Sequence, residues 1–262
     1  MALVKVSVDA GIARLTLDDP RKLNPLTVQL QEELLAGLEQ ARAAEVRVLV
    51  LAAEGRGFCV GADLSTFEQT DFGGRSPGAW LADGMEKLTN RVALELRAFP
   101  APVLSVVQGP AVGAGVGLAL AADLVLAAES AYFALPFVPS LGIAPDMGTS
   151  WSYPRALGRA RAAGLMLLGD RLPAREAERQ GLIWRACADA ELASEAELLI
   201  QRLALLPPHA AQEVRAALDH ADEHAYAEQL DYERLRQGEL VERPSFAEGV
   251  LAFREKRAPK FR

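Results

Sequence analysis

Apolar and polar residues alternate twice at the start of the chain and predict a β-hairpin. Residues 3–8 and 12–17 each follow this alternation, with Asp9-Ala10-Gly11 between them. A period of two residues is that of a strand with one buried face, and glycine suits a tight turn. Asp18-Asp19-Pro20 then ends the second predicted strand.

Helical and strand patterns alternate over the next part of the chain. Apolar residues from Val28 to Leu38 recur at helical spacing after Thr27, a suitable N-cap, and Val46 to Ala52 is a short, continuously apolar run typical of a central strand. The same alternation continues with a helix over residues 80–98, a strand over 102–107, a helix over 115–122 and a strand over 124–127. The pattern predicts an α/β fold.

Beyond Pro154 the patterns are helical, over residues 155–168, 173–180, 189–206 and 208–238. We therefore expect a βα core over residues 1–190 and a helical C-terminal region over residues 191–262. Residues 67–78, which include Asp71, have no periodicity and predict a loop. Long structureless loops in compact domains are often functional, and this one could cover a ligand.

Composition and charge narrow the function. The chain has 262 residues, of which 50% are hydrophobic and 24% charged, as in soluble globular proteins. A net charge of −7 disfavours nucleic acid as a partner, because phosphate binding needs a basic surface. Two cysteines suit a reducing compartment, and we find no signal peptide or membrane span. We expect a cytoplasmic protein without a membrane partner.

Two glycine-rich segments each follow a predicted strand. The first is Gly55 to Leu64 and the second is Gln108 to Gly117, which leads into a helix. Small residues let a ligand oxygen approach backbone N–H groups, and a helix start favours negative charge. The alternative for the first segment is a structural turn. A dinucleotide-binding loop fails for the second, because its glycines do not follow the G-x-G-x-x-G spacing.

These segments, with three others, carry a resemblance to the enoyl-CoA hydratase/isomerase (crotonase) family over nearly the whole chain. The matching blocks, in order, are DPRKLN from Asp19, FCVGADL, GPAVGAGVGLALAADL, LGDRL from Leu168 together with residues 174–181, and FREKR from Phe253. The stretch IAPDMGTSWSYPRALGRARAAGLMLLGDRL is similar to the isomerases of the phenylacetate pathway within this family. The resemblance implies a crotonase (ClpP-like) spiral core of ββα units with a C-terminal helical trimerisation region.

The resemblance implies a thioester site with an oxyanion hole. The family's two hole amides fall on Ala62 and Ala114. The two catalytic glutamates of the hydratases fall on Gly117 and on Phe137 or Val138, so both carboxylates are missing here. Efficient hydration is therefore not expected, because water addition needs groups that position the water and deliver a proton.

Asp146 is the remaining acidic candidate, at a position where isomerases of the family carry an acidic residue. Apolar neighbours would raise its pKa toward a range useful for proton transfer. The alternative is a helix N-cap, since Asp146 precedes Met-Gly-Thr-Ser. With the resemblance, we interpret it as the catalytic base that moves a proton between two carbons of an acyl-CoA.

The substrate's coenzyme A is expected to be held at several positions. By resemblance, Arg56 meets a phosphate, and Phe253 and Lys256 come from a neighbouring subunit of a homotrimer or dimer of trimers. The adenine and pantetheine path would be lined by Leu23, Gly61, Asp63 and Leu64. No separate cofactor is expected, because coenzyme A is part of the substrate.

Other chemistry is less well supported by the sequence. His220 and His224 are four residues apart but lack a metalloprotease arrangement, so no metal site is expected. Cys59 is interpreted as a packing residue. The alternatives to an isomerase are a hydratase, a hydrolase or dehalogenase of the same fold in which Asp146 is a nucleophile, and a noncatalytic acyl-CoA-binding or RNA-binding relative.

Overall fold

The N-terminal hairpin forms as its alternation predicts and begins the main sheet. The computed structural model describes residues 2–68 and 72–261. Strands β1 (Val4–Asp9) and β2 (Ile12–Leu17) pair antiparallel. Helix α1 (Val28–Ala43) follows them and packs against both strands. Its N-cap is Thr27, as predicted, and the Thr27 side chain accepts a hydrogen bond from the Leu30 N–H.

Seven more strands complete two sheets: β3 (Val48–Ala53), β4 (Val103–Val107), β5 (Ala111–Val112), β6 (Leu124–Ala128), β7 (Tyr132–Ala134), β8 (Leu172–Pro173) and β9 (Arg185–Cys187). The main sheet has the order β1-β2-β3-β4-β6-β9 and is parallel from β2 onward. The small sheet has the order β5-β7-β8. Because β5 directly follows β4, the second glycine-rich segment passes from the large sheet to the small one.

Ten helices follow α1 in the described residues: α2 (Pro77–Gly84), α3 (Asn90–Arg97), α4 (Ala114–Leu120), α5 (Thr149–Leu157), α6 (Arg159–Leu168), α7 (Ala174–Arg179), α8 (Leu192–Ala204), α9 (Ala210–Glu223), α10 (Tyr226–Leu240) and α11 (Pro244–Glu255). Shorter turns are 3₁₀-helical at Leu64–Glu68 and Asp189–Glu191, and π-helical at Met85–Thr89 and Phe137–Leu141.

Three helix predictions were wrong in their extent. The helix expected over residues 80–98 is divided by the π-helical turn, and the helix expected over 208–238 is divided after His224, whose backbone is extended. The helix expected over 155–168 starts earlier and is interrupted at Gly158, where φ is 78°. The loop expected over 67–78 gives way to α2 at Pro77. Its residues 69–71, Asp71 included, lie outside the described residues.

Both faces of the main sheet are buried, which explains the continuous apolar run of β3. Leu49 and Leu51 belong to the larger core cluster, whereas Val48 and Val50 pack with residues of α8 such as Leu199 on the opposite face. The first helix of the predicted C-terminal region thus covers the sheet. In contrast, α10 has no buried residue and α11 has one. The division at residue 190 stays a prediction. None of the helices in the described residues is long and apolar enough to cross a membrane.

Candidate active site

Two side-chain amides hold the first glycine-rich segment. Asn24 is fully buried and donates from Nδ2 to the carbonyl oxygens of Glu54 (3.0 Å) and Gly57 (2.9 Å). Gln108 donates from Nε2 to the carbonyl oxygens of Gly55 (3.1 Å) and Gly57 (3.0 Å). The backbone after β3 is therefore fixed by donors from two separate parts of the chain.

The second glycine-rich segment lies directly against the first. A Cβ atom built on Gly109 would lie 2.1 Å from the Arg56 carbonyl oxygen, and one on Gly115 would lie 2.2 Å from the Cys59 carbonyl oxygen. Side-chain carbon atoms do not approach oxygen so closely, so these positions require glycine. The Val112 N–H also donates to the Cys59 carbonyl at 2.9 Å. The glycines of this segment permit backbone-to-backbone packing.

This packing brings the two predicted oxyanion-hole residues together. A Cβ atom on Gly61, which has φ of 83°, would lie 3.1 Å from the Ala114 nitrogen. Ala62 is the next residue and forms a β-bridge with Leu26, while Ala114 begins α4. No acceptor in residues 2–68 and 72–261 takes up the N–H of Ala62 or of Ala114. Both amides therefore lack a hydrogen-bond partner within the described residues.

The positions predicted to correspond to the hydratase glutamates, Gly117 and either Phe137 or Val138, are apolar. Phe137 is buried, and its ring is 3.5 Å from a Cβ atom built on Gly113. Gly117 is one turn after Ala114 on α4, and a Cβ there would lie 2.3 Å from the Met147 carbonyl oxygen. The structure therefore leaves no room for a glutamate at position 117 unless the chain at Met147 moves.

Asp146 directly precedes Met147, the residue that packs against Gly117. Met147 and Gly148 both have positive φ and form a turn that leads into α5. The cap of α5 is Gly148, without a side-chain hydrogen bond, and Thr149 bonds to the backbone carbonyl of Asp146. The alternative interpretation of the Asp146 side chain as an N-cap is therefore wrong.

Asp146 is half-buried, and one of its two carboxyl oxygens is enclosed by protein. Its Oδ1 atom has no hydrogen-bond partner among the described residues. Burial raises the pKa of this carboxyl from 3.8 to about 6, against a smaller lowering by its own backbone N–H. A carboxyl with this pKa near neutral pH can both accept and return a proton.

Most of the residues predicted to bind coenzyme A border the first segment. Leu23 has φ of 64°, and its carbonyl accepts from the Val60 N–H at 3.2 Å. Arg56 is exposed and makes no ion pair within the described part of the chain. Asp63 accepts from the Ser65 backbone and hydroxyl, and Leu64, in the following 3₁₀ turn, is half exposed. Arg56, Asp63 and Leu64 thus belong to the first glycine-rich segment, and Leu23 is bonded to it.

Phe253 and Lys256 are elsewhere in this chain. Phe253 is 84% exposed on α11, and Lys256 is exposed at its C-terminal cap with φ of 53°. The described chain gives neither residue a contact with the hole. Their predicted role therefore depends on a second copy of the chain.

The other candidates have structural surroundings. Cys59 is buried, which raises the pKa of its thiol to about 12, so it is no thiolate nucleophile. The rings of His220 and His224 stack 3.8 Å apart, and their Nδ1 atoms contact Gln229 and a backbone carbonyl. Within residues 2–68 and 72–261, no group of three His, Cys, Asp or Glu side chains could hold a metal ion.

Sequence reasoning missed the residues that position the site from a distance. Asn24 was noted only as part of a matching block, although its φ of 55° in the left-handed region is one that asparagine tolerates. A cavity of about 450 Å³ beside Gly117 and Met147 was also missed, with Trp151 among its lining residues. No periodic pattern marks these residues, because their partners come from other segments.

Comparison with known proteins gives consistent similarities. The family model described as Enoyl-CoA hydratase/isomerase matches residues 7–262. The 1,2-epoxyphenylacetyl-CoA isomerase of Escherichia coli is 38% identical over 100% of this chain and 98% of that protein. A Rhodobacter capsulatus protein named "Probable enoyl-CoA hydratase" is 38% identical over 98% of this chain and 97% of its own. The crystal structure of an enoyl-CoA hydratase from Polaromonas sp. JS666 superposes with a TM-score of 0.91 at 30% identity, covering 99% of both chains.

The raised pKa of Asp146 predicts how stability depends on pH. The unfolded chain ionises this carboxyl from about pH 4, but the folded chain does so only near pH 6. The free energy of unfolding therefore falls as pH rises from 4 to 6, and it stays lower at pH values above 6. Asp146→Asn should raise the free energy of unfolding at pH 8 by on the order of 2 kcal/mol and change it little at pH 4. Urea unfolding at both pH values measures this. Asp170→Asn, at an exposed aspartate, is the control and should show no such difference.

Proposed function

The chain belongs to the enoyl-CoA hydratase/isomerase family, and we propose that it is an acyl-CoA isomerase that shifts a double bond or rearranges a ring epoxide. Its α/β fold with a helical C-terminal region matches the solved structures of that family. The proposal rests on two backbone amides without acceptors, at Ala62 and Ala114, near the segment of Asp146, whose Oδ1 has no hydrogen-bond partner. Gly117 and Phe137 supply no carboxyl group.

The oxyanion hole would stabilise an enolate. The thioester oxygen accepts hydrogen bonds from the N–H groups of Ala62 and Ala114, and negative charge develops on it when a proton leaves the adjacent carbon. One such donor typically contributes about 3 to 4 kcal/mol to lowering a barrier. Because glycine packing holds both amides in place, little reorganisation is needed as the charge forms.

Asp146 would be the proton carrier. As carboxylate it removes a proton from the carbon beside the thioester carbonyl and becomes a neutral acid. It then returns the proton to the carbon two positions away, and the double bond moves by one position. The apolar surroundings that raise its pKa favour the neutral intermediate form.

A hydratase is the second candidate, because relatives of similar identity carry that name. Hydration needs a positioned water and a second proton-transfer group. Phe137 and Gly117 provide neither, and Met147 occupies the space beside Gly117. The isomerase is therefore favoured.

In a hydrolase or dehalogenase of this fold, Asp146 would form a covalent ester, which mass spectrometry would detect.

Coenzyme A binding would join two copies of the chain. Arg56 supplies an unpaired cation beside Leu23 and Asp63, and the exposed Phe253 and Lys256 come from the neighbouring subunit of a trimer or dimer of trimers. The exposed apolar residues of α10 and α11 support this arrangement, because such surface is usually covered in an assembly.

We also propose a cytoplasmic role in phenylacetate degradation, which the name of the Escherichia coli relative supports. No cofactor beyond the substrate's coenzyme A is proposed.

Asp146→Asn should abolish isomerisation with little loss of thioester binding. Removing a general base typically costs about 10² to 10⁴-fold in rate, whereas the hole and the coenzyme A contacts remain. In the unmodified enzyme kcat/KM should rise with pH up to about 6 and then level, because Asp146 must be ionised in the free enzyme. Steady-state assays with a 3-enoyl-CoA and calorimetric binding of the product measure both. A near wild-type rate in the variant would remove Asp146 from its role.

Crotonyl-CoA should be hydrated poorly, while a 3-enoyl-CoA should give its 2-enoyl isomer without oxygen from labelled water. The reason is that no carboxylate orients a water at positions 117 and 137. Gly117→Glu should not restore hydration, because its Cβ would overlap the Met147 backbone, and it should lower the melting temperature. Mass spectrometry of products formed in H₂¹⁸O measures the outcome. Rapid hydration by the unmodified protein would support the second candidate instead.

Lys256→Ala should raise KM for coenzyme A thioesters much more than for pantetheine thioesters. The truncated substrates lack the nucleotide phosphates that the lysine is proposed to meet. Lys260→Ala, at an exposed lysine of the same C-terminal segment, is the control and should change neither KM. Equal effects of Lys256→Ala on both substrate types would contradict the assignment.

A further inference from the structure

A cavity next to Met147 has the size and lining to take an acyl group. It has a volume of about 450 Å³ and is lined at one end by Gly117 and Met147. Met147 directly follows Asp146, and Gly117 is one turn from the hole residue Ala114. Most of the remaining lining is apolar, and ligand cavities of this size are common. An acyl chain attached to a thioester in the hole would extend into this space.

A second cavity shares part of its lining with the first. It has a volume of about 630 Å³ and is lined in part by α9, including Leu218 and Asp219. The proposed reaction assigns no role to it. The residues that line both cavities, and therefore separate them, are Arg97, Leu120, Ala121, Trp151 and Ser152.

Trp151 is the largest side chain of this partition, and it is held by charged neighbours. The guanidinium carbons of Arg97 and Arg155 lie 4.7 Å and 4.1 Å from its ring centroid. Both arginines are tied to α9, since Arg97 pairs with Asp219 at 3.2 Å and Arg155 pairs with Asp222 at 3.3 Å. Cation–π contacts with the two guanidinium groups favour this position of the ring, which is 40% exposed.

We infer that Trp151 sets the upper limit on the length of the acyl group. This inference rests on the proposed acyl-CoA site and adds to it the class of substrate. Short or compact acyl groups fill the first cavity, whereas longer straight chains meet the partition. Without the indole ring, the two cavities would form one continuous space, and a longer chain could continue toward α9.

The test is the affinity for saturated straight-chain acyl-CoA thioesters of increasing length, measured by calorimetry. These ligands cannot be isomerised, so binding is separated from catalysis. Each methylene that becomes buried should tighten binding about fourfold. In the unmodified protein the affinity should rise and then level at the length that reaches Trp151. In Trp151→Ala it should continue to rise over several further methylenes.

Three further variants make the result specific. Trp184→Ala removes a 55% exposed tryptophan that lines neither cavity and should leave the limit unchanged. Trp151→Phe keeps a ring beside the arginines and should extend the limit by less than alanine does. Trp151→Ala combined with Leu218→Trp fills the second cavity and should shorten the limit again.

The outcomes separate the inference from the proposed function. If the unmodified protein binds acyl-CoA but both Trp151 variants keep its length limit, the inference is overturned and the proposed function stands. If Trp184→Ala extends the limit as much as Trp151→Ala, the inference also fails. If no acyl-CoA of any length binds the unmodified protein, the proposed function fails first.

Discussion

The site depends on the close approach of two backbone segments that only glycine permits. Gly109 lies against the Arg56 carbonyl and Gly115 lies against the Cys59 carbonyl. In both places a Cβ atom would overlap the carbonyl oxygen. Each segment is an extension of a buried parallel strand, so neither can move away without disturbing the main sheet. The two amides proposed to form the oxyanion hole, at Ala62 and Ala114, are consequently held in place by the fold itself. Dipoles that are already oriented need no reorganisation when charge develops, which is what makes such a hole effective.

The second constraint is that the proposed reaction has one proton carrier, Asp146, instead of two. Met147 fills the space beside Gly117, and the ring of Phe137 lies next to the hole, so the apolar side of the pocket cannot orient a water. Oδ1 of Asp146 has no hydrogen-bond partner among the described residues, and burial raises the pKa of this carboxyl to about 6. A single carboxyl that serves two carbons must reach both from the same side of the substrate.

Local signals predicted the fold well, whereas features set by distant contacts could not be predicted. The hairpin and the Thr27 cap depend on adjacent residues, and both were confirmed. The π-helical turn before Asn90 replaced part of a predicted helix, because apolar spacing does not report a shift in hydrogen bonding. At the site, Ala62 and Ala114 were named from motifs and the resemblance, and the structure brings their segments together. The partition at Trp151 could not be foreseen, since its arginines and their carboxylates lie on three separate helices.

The most direct test of the single-carrier account is the stereochemistry of proton transfer. A 3-enoyl-CoA carrying deuterium in one defined orientation at the carbon beside the thioester would be converted, and the 2-enoyl product analysed by NMR spectroscopy and mass spectrometry. If Asp146 alone carries the proton, the new bond two carbons away forms on the face from which the first was broken, and part of the deuterium is retained. Formation of the new bond on the opposite face would require a second group and would contradict the account.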